Sequence, residues 1–152
     1  MKQLIFCTAL LIVLALPTKS NGQSGVIAED FSLTLKRLSC FGTCPEYEVT
    51  ILGNGDVRYQ GRYSVRVEGT QDSTIPLTEV RKLAKRLQDE HFFQWDEKKL
   101  VCPDVPAVHI TATMGGQRRH VVEGCNSPGK ILALADEIDR IAGTKRWVPT
   151  PR

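Results

Sequence analysis

The chain has 152 residues, 41% of them apolar and 24% charged, with 12 glycines, 8 prolines and a formal charge of +3. That length holds one ordinary globular domain and excludes a multidomain machine. The apolar fraction and balanced charge exclude intrinsic disorder, and glycine and proline show none of the periodicity of collagen-like or low-complexity chains.

In chain order, Lys2 opens a positive stretch, Leu4 to Leu16 form an apolar run interrupted by Cys7 and Thr8, and Ser20-Asn21-Gly22 places small residues where a processing enzyme needs them. This pattern predicts a secretory signal peptide over residues 1–22, cleaved after Gly22. The run is shorter than the roughly 20 residues that cross a bilayer, so no stable membrane span is expected after cleavage. Cys7 follows Phe6 inside the apolar run, which argues against a lipid-bearing cysteine. Cleavage removes Lys2 and Lys19 and no acid, leaving 18 basic against 17 acidic side chains. Such a balance offers no polybasic surface for nucleic acid or anionic lipid. Residues 23–29 then form a flexible lead, 30–147 a single domain and 148–152 a tail, with a secreted or periplasmic destination.

Phe31 to Leu38 alternate apolar and polar residues, as a half-buried strand requires, and Tyr47, Val49 and Ile51 repeat the pattern. Gly53-Asn54-Gly55-Asp56 then signals a hairpin into a strand carrying Val57 and Tyr59. A three-residue loop closed by Gly55 in the left-handed region pairs Ile51 with Val57 and Val49 with Tyr59, keeping one apolar face, whereas a two-residue loop splits it. Gly61 breaks this run, and Tyr63, Val65 and Val67 alternate in an expected fourth strand. After Pro76 the period becomes helical: Val80, Leu83, Ala84, Leu87 and His91 or Phe92 share a face, with Thr78 as the expected cap. The outer face pairs Lys85 with Asp89 and Arg86 with Glu90 one turn apart, which reads as a solvated surface rather than a basic binding site. Phe92, Phe93 and Trp95 close the core. Ala107 to Met114 and Gln117 to Glu123 flank Gly115-Gly116 as a second hairpin pairing Ile110 with Val121. Ser127 and Pro128 open a last helix with an Ile131, Leu134, Ala135, Ile138, Ile141 stripe, ended by Gly143. The order ββββαββα predicts an α+β fold: an antiparallel sheet of about six strands covered on one face by two helices.

Loss of Cys7 leaves Cys40, Cys44, Cys102 and Cys125, an even number in an oxidising compartment. Cys102 precedes one arm of the second hairpin and Cys125 follows the other, so both approach its open end. The expected staples are therefore Cys40–Cys44 and Cys102–Cys125. Chain entropy assigns them about 2 and about 3 kcal/mol respectively.

The segment Ser39-Cys40-Phe41-Gly42-Thr43-Cys44-Pro45-Glu46-Tyr47, followed by the Gly53-Asn54-Gly55-Asp56 turn, resembles a bacterial family catalogued as domain of unknown function 6438. Its pattern is Cys-Phe-Gly-x-Cys-Pro-x-Tyr and then a Gly/Asp turn between strands. The likeness runs from about Phe31 to Trp147, and Asp104 and Pro128 are similar to the family's later positions. The resemblance implies a secreted or envelope location and brings no reaction, ligand or catalytic residue.

Each residue with possible chemistry has a structural reading. Cys40 and Cys44 are separated by three residues, not the two of thioredoxin-type pairs, and lack a parallel βαβ context, which favours a staple. The four cysteines do not form the two tight pairs of common zinc sites. His109 and His120 share one face of the second hairpin as diagonal neighbours, able to hold a metal or serve as a base, although polar positions on an open sheet face also account for them. Asp104 between Pro103 and Pro106 is the candidate functional carboxylate, set against an aspartate that bonds its own turn. Phe41 and Tyr47 complete the binding candidates. No nucleophile elbow, phosphate loop, metalloprotease or dinucleotide motif is present, and no cofactor is implied. The favoured reading is a non-catalytic module binding an envelope or extracellular protein, peptide or glycan through the sheet face or the Cys40 to Tyr47 loop. The alternative is a thiol- or metal-dependent enzyme using Cys40 and Cys44 with His109 and His120; a purely structural module is a third reading.

Overall fold

A computed structural model describes residues 27–96, 107–123 and 129–149. Expectations for the signal peptide, Cys102, Asp104, Cys125 and the Ser127-Pro128 helix start lie outside the described residues. Six strands form one antiparallel sheet: β1 (Ser32–Arg37), β2 (Glu46–Leu52), β3 (Asp56–Tyr63), β4 (Gly69–Thr74), β5 (Val108–Met114) and β6 (Gln117–Glu123). Two helices, α1 (Leu77–Asp89) and α2 (Lys130–Ala142), complete the ββββαββα order. Spatially the strands run β4-β3-β2-β1-β5-β6, so β1 sits at the centre and joins the two hairpins.

Strand alternation assigns the two faces. Leu33, Leu35, Val49, Ile51, Val57, Tyr59, Ile110, Ala112 and Val121 point inward and are buried. Against them pack Val80, Leu83 and Leu87 of α1 and Ile131, Leu134 and Ile138 of α2, giving one core between sheet and helices. Lys36, Glu48, Thr50, His109 and Thr111 occupy the alternate positions, on the face opposite α1 and α2. The predicted α+β architecture is what the chain adopts.

Register follows the turns. Ile51 pairs with Val57 and Val49 with Tyr59, as the three-residue loop requires. Gly55 donates to the Leu52 carbonyl at 3.0 Å with φ of 89°, and a Cβ there would stand 2.6 Å from the Ile75 carbonyl. Only glycine meets both demands. In the second hairpin Ile110 opposes Val121, and the Asp30 carboxylate accepts the Gly115 and Gly116 N–H groups at 2.8 and 2.7 Å. Those two bonds hold the Asp30 carboxyl below its usual range.

Two expectations need correction. Gly61 does not break β3, which continues to Tyr63; Tyr63, Val65 and Val67 are not a separate alternating strand. The fourth strand is Gly69–Thr74, an edge strand of polar residues that apolar alternation cannot reveal. Ser64, at φ of 52°, begins the intervening turn. Thr78 is also not a cap: Pro76 occupies the cap position of α1 and no side chain closes it. Proline's fixed φ and missing N–H make it compatible with a helix start, so the helix begins earlier than Thr78 predicts. The end of α2 is as expected, with Gly143 at φ of 68°.

Candidate binding loop and its anchor

Between β1 and β2 the chain makes a short excursion closed by the Cys40–Cys44 disulfide, whose Cα atoms are 5.4 Å apart. The expected staple is present. Gly42 donates its N–H to the Cys40 carbonyl at 2.8 Å, and the Ser64 hydroxyl donates to the Thr43 carbonyl at 2.9 Å. The loop is therefore closed covalently at its base and tied to the β3–β4 turn. Phe41 stands at its tip with 93% of its surface exposed. Tyr63, the end of β3, is also exposed, so two aromatic side chains reach solvent from neighbouring segments.

Tyr47 has the opposite fate. As the first inward residue of β2 it is buried, and its hydroxyl donates to Asp139 Oδ1 at 2.7 Å. The Thr144 hydroxyl donates to the same oxygen at 2.8 Å, while Arg37 Nε donates to Oδ2 at 2.8 Å. Arg37 Nη2 reaches Asp136 Oδ1 at 2.7 Å. Burial, and then the Asp139 charge, push the Tyr47 hydroxyl well above the usual phenol range, so it remains a donor. Burial alone would lower the Arg37 value, but the Asp139 and Asp136 carboxylates beside it raise it overall. The carboxylate–guanidinium contact is charge-assisted and partly buried, the setting in which such bonds are strongest. This network joins the end of β1 and the start of β2, the strands that flank the disulfide loop, to α2.

The remaining candidates lie elsewhere. His109 and His120 occupy the open sheet face, with ring centroids 5.2 Å apart. No hydrogen bond links them to the disulfide loop among the described residues. No group of three or more His, Cys, Asp and Glu side chains able to hold a metal is assembled among the described residues. Arg37, Asp136, Asp139 and Thr144 were not singled out by sequence reasoning. Arg37 carried a signal, since it continues the inward positions of Leu33 and Leu35; Asp139, at the margin of the α2 apolar stripe, carried a weaker one.

The family model described as Domain of unknown function (DUF6438) matches residues 31–142, and the chain belongs to that family. A search of curated proteins found no match.

Proposed function

We propose that this member of the DUF6438 family is a non-catalytic binding module of the bacterial envelope or secreted space, contacting a protein partner through the Cys40–Cys44 loop. One observation carries the reading: Phe41, 93% exposed, is presented on a loop closed by a disulfide and tethered by Ser64. Leaving a large apolar side chain in water forgoes roughly 1.5 to 3 kcal/mol of burial. A rigid loop that holds it there loses little further entropy on binding, which is how aromatic anchors generate affinity. Within the Cys-Phe-Gly-x-Cys-Pro-x-Tyr pattern the two cysteines close the loop and Tyr47 holds the sheet to α2. Phe41 is the large apolar member of that pattern that is exposed to solvent.

The disulfide supports an oxidising destination, in agreement with a cleavable signal peptide over residues 1–22. On this reading the mature N-terminus is Gln23. Among the described residues no helix is long and apolar enough to cross a membrane.

The test is site-specific photocrosslinking in the producing cells. A photoreactive residue at position 41 is expected to give a discrete adduct in the envelope or secreted fraction. The same residue at Leu132, an exposed position on α2, should not. Replacing Cys40 and Cys44 by serine should abolish the adduct, and Phe41→Ala should cost the isolated complex about 2 kcal/mol or more. An adduct equally strong from Leu132, or none from position 41, overturns the proposal.

A further inference from the structure

The β5–β6 hairpin carries two histidines that the binding loop leaves unused. Register makes them diagonal neighbours: His109 lies opposite Val122, and His120 opposite Thr111. The rings are 5.2 Å apart between centroids and inclined by 59°. Thr111 Oγ1 lies 2.8 Å from His120 Nδ1, which occupies that nitrogen; among the described residues no bond engages the ring's Nε2. His109 Nε2 is sheltered from water and has no hydrogen-bond partner. A buried polar atom without a partner is uncommon and costly, and points to a ligand that would satisfy it.

We propose that His109 and His120 together bind a divalent transition metal of the copper, nickel or zinc class on the open sheet face. Imidazole nitrogen is the ligand type these ions favour, and the 5.2 Å between ring centroids puts two such rings side by side. Thr111 is a positioning residue: its hydroxyl fixes one ring's orientation, as outer hydrogen-bond partners do for metal-binding imidazoles. Lys36 faces His109 from β1 and its charge opposes a cation. Two side-chain ligands leave the ion's remaining coordination positions to water.

The test is calorimetric titration of copper(II) chloride, and separately zinc chloride, into the full chain. The protein is purified without a polyhistidine tag and its free thiols are alkylated. A saturable isotherm with one ion per chain is expected near neutral pH, tightest for copper. His109→Ala and His120→Ala should each eliminate it, with His109→Gln as the second variant if alanine disturbs folding. Thr111→Val should weaken binding by roughly tenfold. Lys36→Gln should tighten it, and His91→Ala should leave it unchanged. No saturable binding by the unaltered chain, undiminished binding by folded His109 and His120 variants, or loss in His91→Ala would each overturn the proposal.

Discussion

Arg37 stands among three carboxylates, and it pairs with two of them. Asp136 and Asp139 make the ion pairs, whereas Glu123, inward-facing at the end of β6, keeps Oε2 buried with no hydrogen-bond partner among the described residues. Burial raises the Glu123 carboxyl above its usual range; Arg37 opposes that shift and Asp136 reinforces it. A carboxyl whose folded value is raised favours the fold fully below its unfolded value of about 4.3, and that contribution is lost as pH rises through the folded value. At neutral pH Glu123 is therefore a source of instability. Glu123→Gln removes the charge and keeps the side chain's size. The variant should melt at higher temperature than the parent at pH 7, and the gap should narrow as pH falls toward about 4. Melting curves by circular dichroism across that range check this. A gap independent of pH would show that ionisation is not its source.

Among the elements, the two hairpins and both helices were legible in the sequence because each carries its own periodicity. Strand pairs such as Ile51 with Val57 followed from choosing the loop length that keeps one apolar face. What was not legible depends on contacts between segments distant in sequence. Gly61 looked like a strand breaker, yet it sits within β3 opposite Gly69 because the backbone approaches closely there. A Cβ at Gly61 would lie 2.2 Å from the Val67 carbonyl and 2.7 Å from the Tyr59 hydroxyl. The Tyr59 hydroxyl itself donates to that carbonyl at 3.3 Å, so the three groups share one small space. Burial, and then Asp139, push the Tyr59 hydroxyl up to about 12, which keeps it protonated as the donor. Gly61→Ala must displace main chain rather than a flexible side chain. It should cost about 3 kcal/mol, at the upper end of overpacking substitutions, read as a lower urea midpoint with little change in slope. The Arg37–Asp139–Tyr47 network was unreadable for a related reason: it spans β1, β2 and α2, and its members have no shared spacing in the chain.

For the molecule as a whole, the residues matched by the family model end at Ala142, but the packed unit does not. Trp147 is buried and stacks on Tyr59 with ring centroids 4.7 Å apart. Its carbonyl accepts the N–H groups of Arg66 and Val67 at 2.8 and 3.2 Å, tying the C-terminal segment to the β3–β4 turn. Thr144 reaches back to Asp139, and Arg146 lies over the Trp147 ring while donating to the Ala142 carbonyl at 2.9 Å. A chain ending at residue 142 exposes one face of Tyr59, leaves two N–H groups near the β3–β4 turn unpaired and removes a donor from the Asp139 network. Loss of a buried tryptophan alone costs about 3 to 5 kcal/mol, a large part of the 5 to 15 kcal/mol by which domains are stable. The truncated chain should lose its cooperative thermal transition and its near-ultraviolet tryptophan signal. Trp147→Ala in the full chain should fold with a markedly lower melting temperature, because the backbone bonds to Arg66 and Val67 survive. If the truncated chain melts cooperatively near the parent temperature, the segment after Ala142 is an appendage and the core closes without it.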